Sequence, residues 1–284
     1  MPDDTDNADH PGGTLALGGD LTIGRLGYGA MRRCGPGAWG EPDDPEAAKR
    51  LLKRVLDLGI TLIDTADAYG PEINERYIAE ALYPYPDGVV IATKCGITRP
   101  NRETWARDGR PEHLRAACEA SLRRLRLKRI DLYQLHVPDP RVAIEESVGA
   151  LADLRAAGKI RHIGLSNVSV GDLRRARRVA PIASVQNRFN VSDRSSENVL
   201  AECESAGIAF LPYKPLVTEA DPTGPLARVA RRRGVTPAQV AIAWLLARSP
   251  VMVPIPGTSS PPHLDENVAA ARISLSAEDR LDHS

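Results

Sequence analysis

Short apolar runs alternate along this chain with longer stretches whose apolar residues recur at helical spacing, the pattern of repeated βα units around a parallel sheet. Strands are expected at residues 26–30, 60–64, 89–94, 132–136, 160–166, 184–187, 208–213 and 252–255. Helices are expected at 45–58, 74–82, 111–125, 141–157, 170–178, 196–206, 225–233 together with 237–248, and 261–270. Residues 14–23, centred on Gly18-Gly19, predict a β-hairpin ahead of the first unit, because paired glycines reach the positive φ values of a tight turn. Asp44-Pro45 and Thr236-Pro237 carry the N-cap and first-turn proline of a helix start. Eight strands alternating with eight helical segments predict an α/β fold, a closed (β/α)8 TIM barrel with an N-terminal β-hairpin. Residues 14–284 form its single domain, with no linker inside. An open dinucleotide-binding sheet would carry G-x-G-x-x-G at its first βα turn. Here Arg25-Leu26-Gly27-Tyr28-Gly29 is too short and precedes no helix.

Composition narrows the partners. The 284 residues lie within the range of a one-domain barrel. Hydrophobic residues make up 42% and charged residues 26%, with formal net charge zero, so no global field recruits nucleic acid or anionic lipid. Two basic runs, Arg123-Arg124 with Arg126, Lys128 and Arg129, and Arg174-Arg175 with Arg177-Arg178, lack interleaved aromatics and read as solvated helix faces. A small-molecule substrate is expected, no nucleic acid or membrane partner, and a monomer or weak oligomer. Cys34, Cys95, Cys118 and Cys203 are scattered, and no histidine cluster has ligand spacing, so neither a metal site nor a disulfide framework is expected. Residues 1–13 are acidic with proline and glycine, and lack the basic and apolar regions of a secretory signal, which predicts a disordered N-terminal tail. No apolar run approaches the roughly 20 residues of a bilayer span. The expected location is cytoplasmic.

In a barrel the strand C-termini converge on one face, where a polar residue reads as functional. Asp64, Lys94 and His136 each close an apolar run, and Tyr69 follows Asp64 in the next loop. Carbonyl reduction needs a hydride donor and an acid for the oxygen as negative charge develops there. Tyr69 suits the acid, with Lys94 as a neighbouring cation that eases proton loss, Asp64 as the lysine's counterion, and His136 as the donor that orients the carbonyl. Each has a plainer reading alone: a turn or cap for Asp64, a snorkelling lysine, a satisfied loop histidine, a core tyrosine. Their joint placement at strand ends weighs against the plainer readings.

Five motifs in order, Asp64-Thr65-Ala66-Asp67-Ala68-Tyr69-Gly70, Ala92-Thr93-Lys94, Gln134-Leu135-His136, Ile163-Gly164-Leu165-Ser166-Asn167 and Ile255-Pro256-Gly257-Thr258, resemble the aldo-keto reductase family. The resemblance spans residues 14–279. It implies the barrel, the hairpin at its base, the Asp64, Tyr69, Lys94, His136 tetrad, and NADPH-dependent reduction of an aldehyde or ketone, with NADH also admissible. It also implies coenzyme contacts: Gly29, Ala30, Met31 and Asp64 near the first two strands; Ser166, Asn167 and Gln186 at the nicotinamide carboxamide; Tyr213 stacked on the ring. Further along the coenzyme come Lys214, Pro215 and Leu216 at the pyrophosphate, Ile255, Pro256, Gly257, Thr258 and His263 toward the adenosine phosphate, and Glu266 and Asn267 at the adenine. Gly257 and His263 depart from the Lys and Arg that many NADPH-preferring members carry. Residues 25–31, 39–40 and 255–260 resemble the bacterial branch of pyridoxal reductases.

Short fourth (137–140) and seventh (214–223) connections, with little chain after residues 276–279, predict an open mouth. Its expected substrate contacts are Met31, Trp39, Tyr69, Trp105 and His136, with Cys95 nearby, under a lid formed by residues 95–110, the longest connection. Two other functions share the fold: a cofactor-holding regulatory sensor with little turnover, and a redox-neutral epimerase or dehydratase whose cofactor cycles internally.

Overall fold

The computed structural model describes residues 10–216 and 223–279. An antiparallel hairpin, β1 (Thr14–Leu17) and β2 (Leu21–Gly24), opens the chain. The main sheet takes β3 (Tyr28–Gly29), β4 (Leu62–Asp64), β5 (Val90–Cys95), β8 (Ile130–Leu135), β9 (Ile160–Ser166), β10 (Ile182–Gln186) and β11 (Ala209–Phe210), all parallel and each beside its sequence neighbour. Between β5 and β8 stands a small antiparallel hairpin, β6 (Ile97–Thr98) with β7 (Ala106–Arg107). Helices α1 (Pro45–Asp57), α2 (Ile73–Leu82), α3 (Pro111–Leu125), α4 (Ile144–Ala156), α5 (Val170–Arg177), α6 (Glu197–Ala206), the pair α7 (Pro225–Arg233) and α8 (Pro237–Arg248), and α9 (Pro261–Ala270) form the outer layer.

The sheet curls and its ends meet through the expected eighth strand. Val253 N–H donates to Phe210 O on one side, while Pro254 O and Pro256 O accept from Gly27 N–H and Gly29 N–H on the other. The segment departs from a regular strand because Pro254 and Pro256 have no N–H to give back to β3, which halves that seam. The seam is also very close: a Cβ on Gly29 would lie 2.7 Å from Ile255 O, and one on Gly257 would lie 2.6 Å from Gly29 O. Both positions therefore require glycine.

Inside the closed sheet, Leu62, Val90, Leu132, Ala183, Leu211 and Val253 pack with Leu17 and Ile23, so the hairpin plugs the base of the barrel with its own apolar face. Gly18 (φ 62°) and Gly19 (φ 87°) make the turn, and Asp20 ties it to Arg161 and His162 at the start of β9. Outside, two larger apolar clusters fill the space between sheet and helices. Helix starts follow the expected chemistry: Asp44 caps α1, and Ser169 with Asp172 and Thr236 with Gln239 form capping boxes on α5 and α8.

Three local expectations change. Ala30 leaves β3 for a 3-10 turn, Ala30–Arg33. Helix α4 begins at Ile144 rather than residue 141, because Arg141 turns back to pair with the buried carboxylate of Asp139. Of the expected tail, residues 10–13 are part of the fold: Pro11 is buried and Gly13 O accepts from Arg25 N–H. Residues 1–9 lie outside the described residues. The second basic run is ion-paired, Arg174 and Arg177 with Glu202 and Arg175 with Glu145, and in the first Arg124 pairs with Glu72 and Glu75. Among the described residues no helix is long and apolar enough to cross a membrane.

The closing seam gives a test. Gly257→Ala drives a methyl into the Gly29 carbonyl, an overpacking costing about 1–3 kcal/mol, and at ~2–4 °C per kcal/mol the melting temperature should drop by several degrees. Calorimetry on the variant checks this, and an unchanged midpoint would contradict the close approach.

Candidate active site

Three strand ends and the loop after β4 bring the tetrad together. Asp64 ends β4, beside Gly29 of β3 and Ala92 of β5, and Lys94 lies in β5 beside Gln134 of β8. His136 follows β8, its N–H held by Cys95 O at 2.8 Å. Lys94 is fully buried and donates through Nζ to Asp64 Oδ2 (2.7 Å) and Thr65 O (2.8 Å). Asp64 Oδ1 accepts from Gln134 Nε2 (3.1 Å) and Gln186 Nε2 (2.8 Å), so every strong interaction of the carboxylate is internal. Gln134 was not singled out in the sequence, although an amide inside the run Leu132-Tyr133-Gln134-Leu135 signals a buried polar group that needs a partner.

Tyr69 sits over this pair, the Lys94 ammonium 5.2 Å from its ring centroid. His136 meets the same ring edge to face at 5.8 Å, and Trp105 on β6–β7's connecting loop completes a triangle, 6.4 Å from each. Burial works against the charge on Lys94, but Asp64 and then Tyr69 outweigh it and hold the lysine above its usual pKa. Burial raises the Tyr69 phenol, and Lys94 only partly offsets that rise. Lys94 thus acts in the expected direction, easing proton loss, but burial outweighs it and Tyr69 stays protonated through the neutral range. Burial, reinforced by the Lys94 ammonium, pushes His136 well below the usual imidazole value, so it is neutral; its buried Nδ1 has no hydrogen-bond partner.

A cavity of about 730 Å³ runs from these residues across the mouth. It is lined by Asp64, Tyr69, His136, Trp105, Met31 and Gly29 on one side, by Ser166, Asn167, Gln186 and Tyr213 at its centre, and by Lys214, Pro215, Leu216, Ile255 and Gly257 on the other. Asn167 takes a left-handed φ of 58°, donates to His136 O and Ser166 Oγ, and accepts from the Tyr213 hydroxyl. The expected carboxamide ligands are therefore engaged with one another and with Asp64, and a bound amide would exchange for those bonds.

Other expected residues fall outside the cavity lining: Ala30, Pro256, Thr258, His263, Glu266 and Asn267. Thr258 is buried and its backbone O accepts from the Tyr28 hydroxyl at 2.8 Å, while its Oγ1 accepts from Ser260 N–H. His263 is exposed in the first turn of α9, and buried Asn267 has an Nδ2 without a partner. Trp39 is displaced as well: it bridges to Gly70 behind the tyrosine loop and does not line the cavity. Cys95 is fully buried on the far side of β5, in the core shared with α3. The lid is no open loop but the β6–β7 hairpin. Residues 217–222 of the seventh connection lie outside the described residues.

Comparison with known proteins now fixes the class. The model of the aldo/keto reductase family matches residues 25–281. The chain is 47% identical over 94% of its length, and 87% of the relative's, to an uncharacterised oxidoreductase of Schizosaccharomyces pombe. It is 41% identical to pyridoxine 4-dehydrogenase of Escherichia coli, covering 92% of this chain and 93% of that one. Among solved structures it is similar to a glycerol dehydrogenase from Gluconobacter oxydans, with TM-score 0.84, 29% identity and 94% and 92% of the two chains covered. It is also similar to an aldo/keto reductase from Klebsiella pneumoniae in complex with NADP and acetate, with TM-score 0.80, 28% identity and the same coverage. The chain belongs to the aldo/keto reductase family, oxidoreductases of carbonyl and alcohol groups.

The tyrosine loop carries a second titratable group. Asp67 is half-buried, its Oδ1 enclosed and unpartnered, and burial, followed by the Glu75 carboxylate, raises its pKa well above the usual value. The folded state then binds a proton that the unfolded state releases near pH ~3.9. That stabilisation is complete below this value and is lost as pH rises toward the folded pKa. Asp67→Asn should flatten the decline, melting above the parent at pH 8 and showing less advantage at pH 5. Parallel melting curves across that range would contradict a neutral Asp67.

Proposed function

We propose that this protein reduces an aldehyde or ketone to the alcohol with NADPH, with Tyr69 as the general acid. The observation that carries the reading is the buried Lys94–Asp64 pair beneath Tyr69, at the floor of a cavity that also holds His136. The residues present fit a dinucleotide: the cavity runs unbroken from the tetrad to Lys214 and Gly257, the Tyr213 ring is part-exposed at its centre, and Asn267 offers an unpaired buried amide toward the adenine end. When bound, the coenzyme supplies hydride. Ser166, Asn167 and Gln186 would hold the carboxamide, Tyr213 the ring face, and Lys214 to Leu216 the pyrophosphate.

Neutral His136 donates to the carbonyl oxygen and orients it, and the protonated phenol of Tyr69 delivers its proton to that oxygen as charge develops. Lys94 stabilises the phenolate left behind, and Asp64 keeps Lys94 charged. Trp105 and Met31 flank the open side. A ring-bearing aldehyde such as pyridoxal is the candidate substrate, on the similarity to pyridoxine 4-dehydrogenase and the aromatic walls.

Selectivity for the adenosine phosphate should be weak. Position 257 has no room for a side chain, and α9 begins Pro261-Pro262, which removes two of the N–H groups that a helix start offers an anion. Exposed His263 is the residue placed to add charge.

Coenzyme absorbance followed with a panel of aldehydes, pyridoxal included, tests the reading. Tyr69→Phe should lose about 10²–10⁴-fold in turnover while still binding coenzyme; retained turnover would remove Tyr69 from the acid position. The rate of reduction should show no limb near the usual imidazole pKa of ~6.5, and should hold into the alkaline range past the ordinary phenol value, because burial raises Tyr69. His263→Arg should raise the NADPH-over-NADH ratio of kcat/KM by about tenfold, the worth of one charged hydrogen bond.

A further inference from the structure

Arg99 is the residue of the lid that neither the motifs nor the tetrad account for. It follows β6, is 8% exposed, and forms no salt bridge among the described residues, Glu103 acting on it only through space. Its guanidinium is met by backbone oxygens instead. Nη1 donates to Ala38 O (3.2 Å) and Ala68 O (3.3 Å), and Nη2 donates to Gly37 O (3.5 Å) and Arg102 O (2.7 Å). Those oxygens belong to three connections that meet at the barrel mouth. One also accepts from Gly70 N–H: Ala38 O, at 3.0 Å. Ala68 and Gly70 flank Tyr69, so the guanidinium holds the backbone directly before the proposed acid and, through the shared Ala38 O, indirectly after it.

The same group lies 3.7 Å from the ring centroid of Trp105 and 5.2 Å from that of Trp39. Trp105 is 40% exposed and has no other strong anchor in view, yet it stands edge-on to both Tyr69 and His136. A planar cation stacked on an indole while donating in its own plane joins two kinds of contact that a lysine cannot supply together. The cost of burying an uncompensated cation is met by the carbonyl dipoles, and only Nε lacks a partner.

We infer that Arg99 is a positioning residue that locks the lid tryptophan and the Tyr69 loop into one unit, and so sets both the acid's placement and the wall against which ring-bearing carbonyl substrates bind. It touches neither substrate nor coenzyme. The inference deepens the reductase reading and rests on it for the kinetic part alone. Arg99→Lys keeps a cation but loses the stack and the fork; Trp105→Ala removes the wall directly.

Steady-state kinetics with benzaldehyde and with propanal, plus coenzyme titration and amide hydrogen exchange, test the idea on the full chain. Trp105→Ala should raise KM for benzaldehyde about tenfold and leave that for propanal nearly unchanged. Arg99→Lys should reproduce that KM shift and lower kcat for both aldehydes by about three- to tenfold, as the acid's loop loosens. The double variant should show a benzaldehyde KM no worse than Arg99→Lys alone, since the wall is already lost. Coenzyme affinity should hold in all three. KM effects that multiply in the double variant, or coenzyme binding that weakens along with them, would overturn the clamp. Exchange is read without turnover: Arg99→Lys should quicken it at residues 66–70 and 102–107 together while α8 stays protected. If Arg99→Lys does not fold, Trp105→Ala should still quicken residues 66–70, because coupling is reciprocal; no change there refutes the inference. Wild-type inactivity on every carbonyl would instead sink the proposed reaction and leave the exchange result to judge the clamp.

Discussion

A single ammonium buried in the barrel floor imposes most of what surrounds it. Lys94 has no solvent to lean on, so its charge survives only because Asp64 lies 2.7 Å away and Thr65 offers a carbonyl. Asp64 is itself nearly enclosed, and two glutamines from β8 and β10 occupy its other oxygen. Removing one member of such a pair leaves a naked buried charge, at a cost of about 3–5 kcal/mol. Four strands, β4, β5, β8 and β10, are thus tied together through one ion pair. Burial, reinforced by the ammonium, keeps His136 neutral, and burial holds Tyr69 protonated while the ammonium moderates the rise, so both protonation states follow from enclosing one charged site.

The second constraint is closure. An eighth segment with prolines at 254 and 256 can accept from β3 but cannot donate to it, and the two backbones approach until neither Gly29 nor Gly257 can carry a side chain. This accounts for an apparent departure in the sequence. The glycine at 257, seen from composition alone as a missing phosphate-binding charge, is first a condition of closing the barrel. At the exposed start of α9, prolines take the place of backbone donors.

Much of this was legible in the sequence because barrel geometry turns position into meaning. Asp64, Lys94 and His136 stood out as polar residues ending apolar runs, and Tyr69 through its spacing from Asp64. Gln134 went unnoticed since a glutamine in a strand looks like an outward-facing residue until its neighbours show that it points inward. Trp39 read as a pocket residue on exposure grounds, whereas its bridge to Gly70 depends on two loops distant in sequence. Arg99 carried no signal: a loop arginine is ordinarily solvated, and only the convergence of four carbonyls and two indoles shows otherwise.

The placement of Tyr69 is fixed from several directions at once. Its loop is held inside the barrel by Lys94 through Thr65 O, at its own end by Asn74 N–H on Tyr69 O, and on the outer side by Glu72 N–H on Asp67 O. Behind it, Glu75 accepts from Thr93 and Arg124, tying α2 and α3 to β5. An acid so constrained has little conformational freedom left to lose when a carbonyl arrives, which is where preorganised sites gain rate. The open side of the cavity is built differently, from one short hairpin and a tryptophan partly in solvent. A barrel can therefore retain its reaction while the lid changes what it accepts, provided that whatever replaces the lid still leaves the Tyr69 loop gripped.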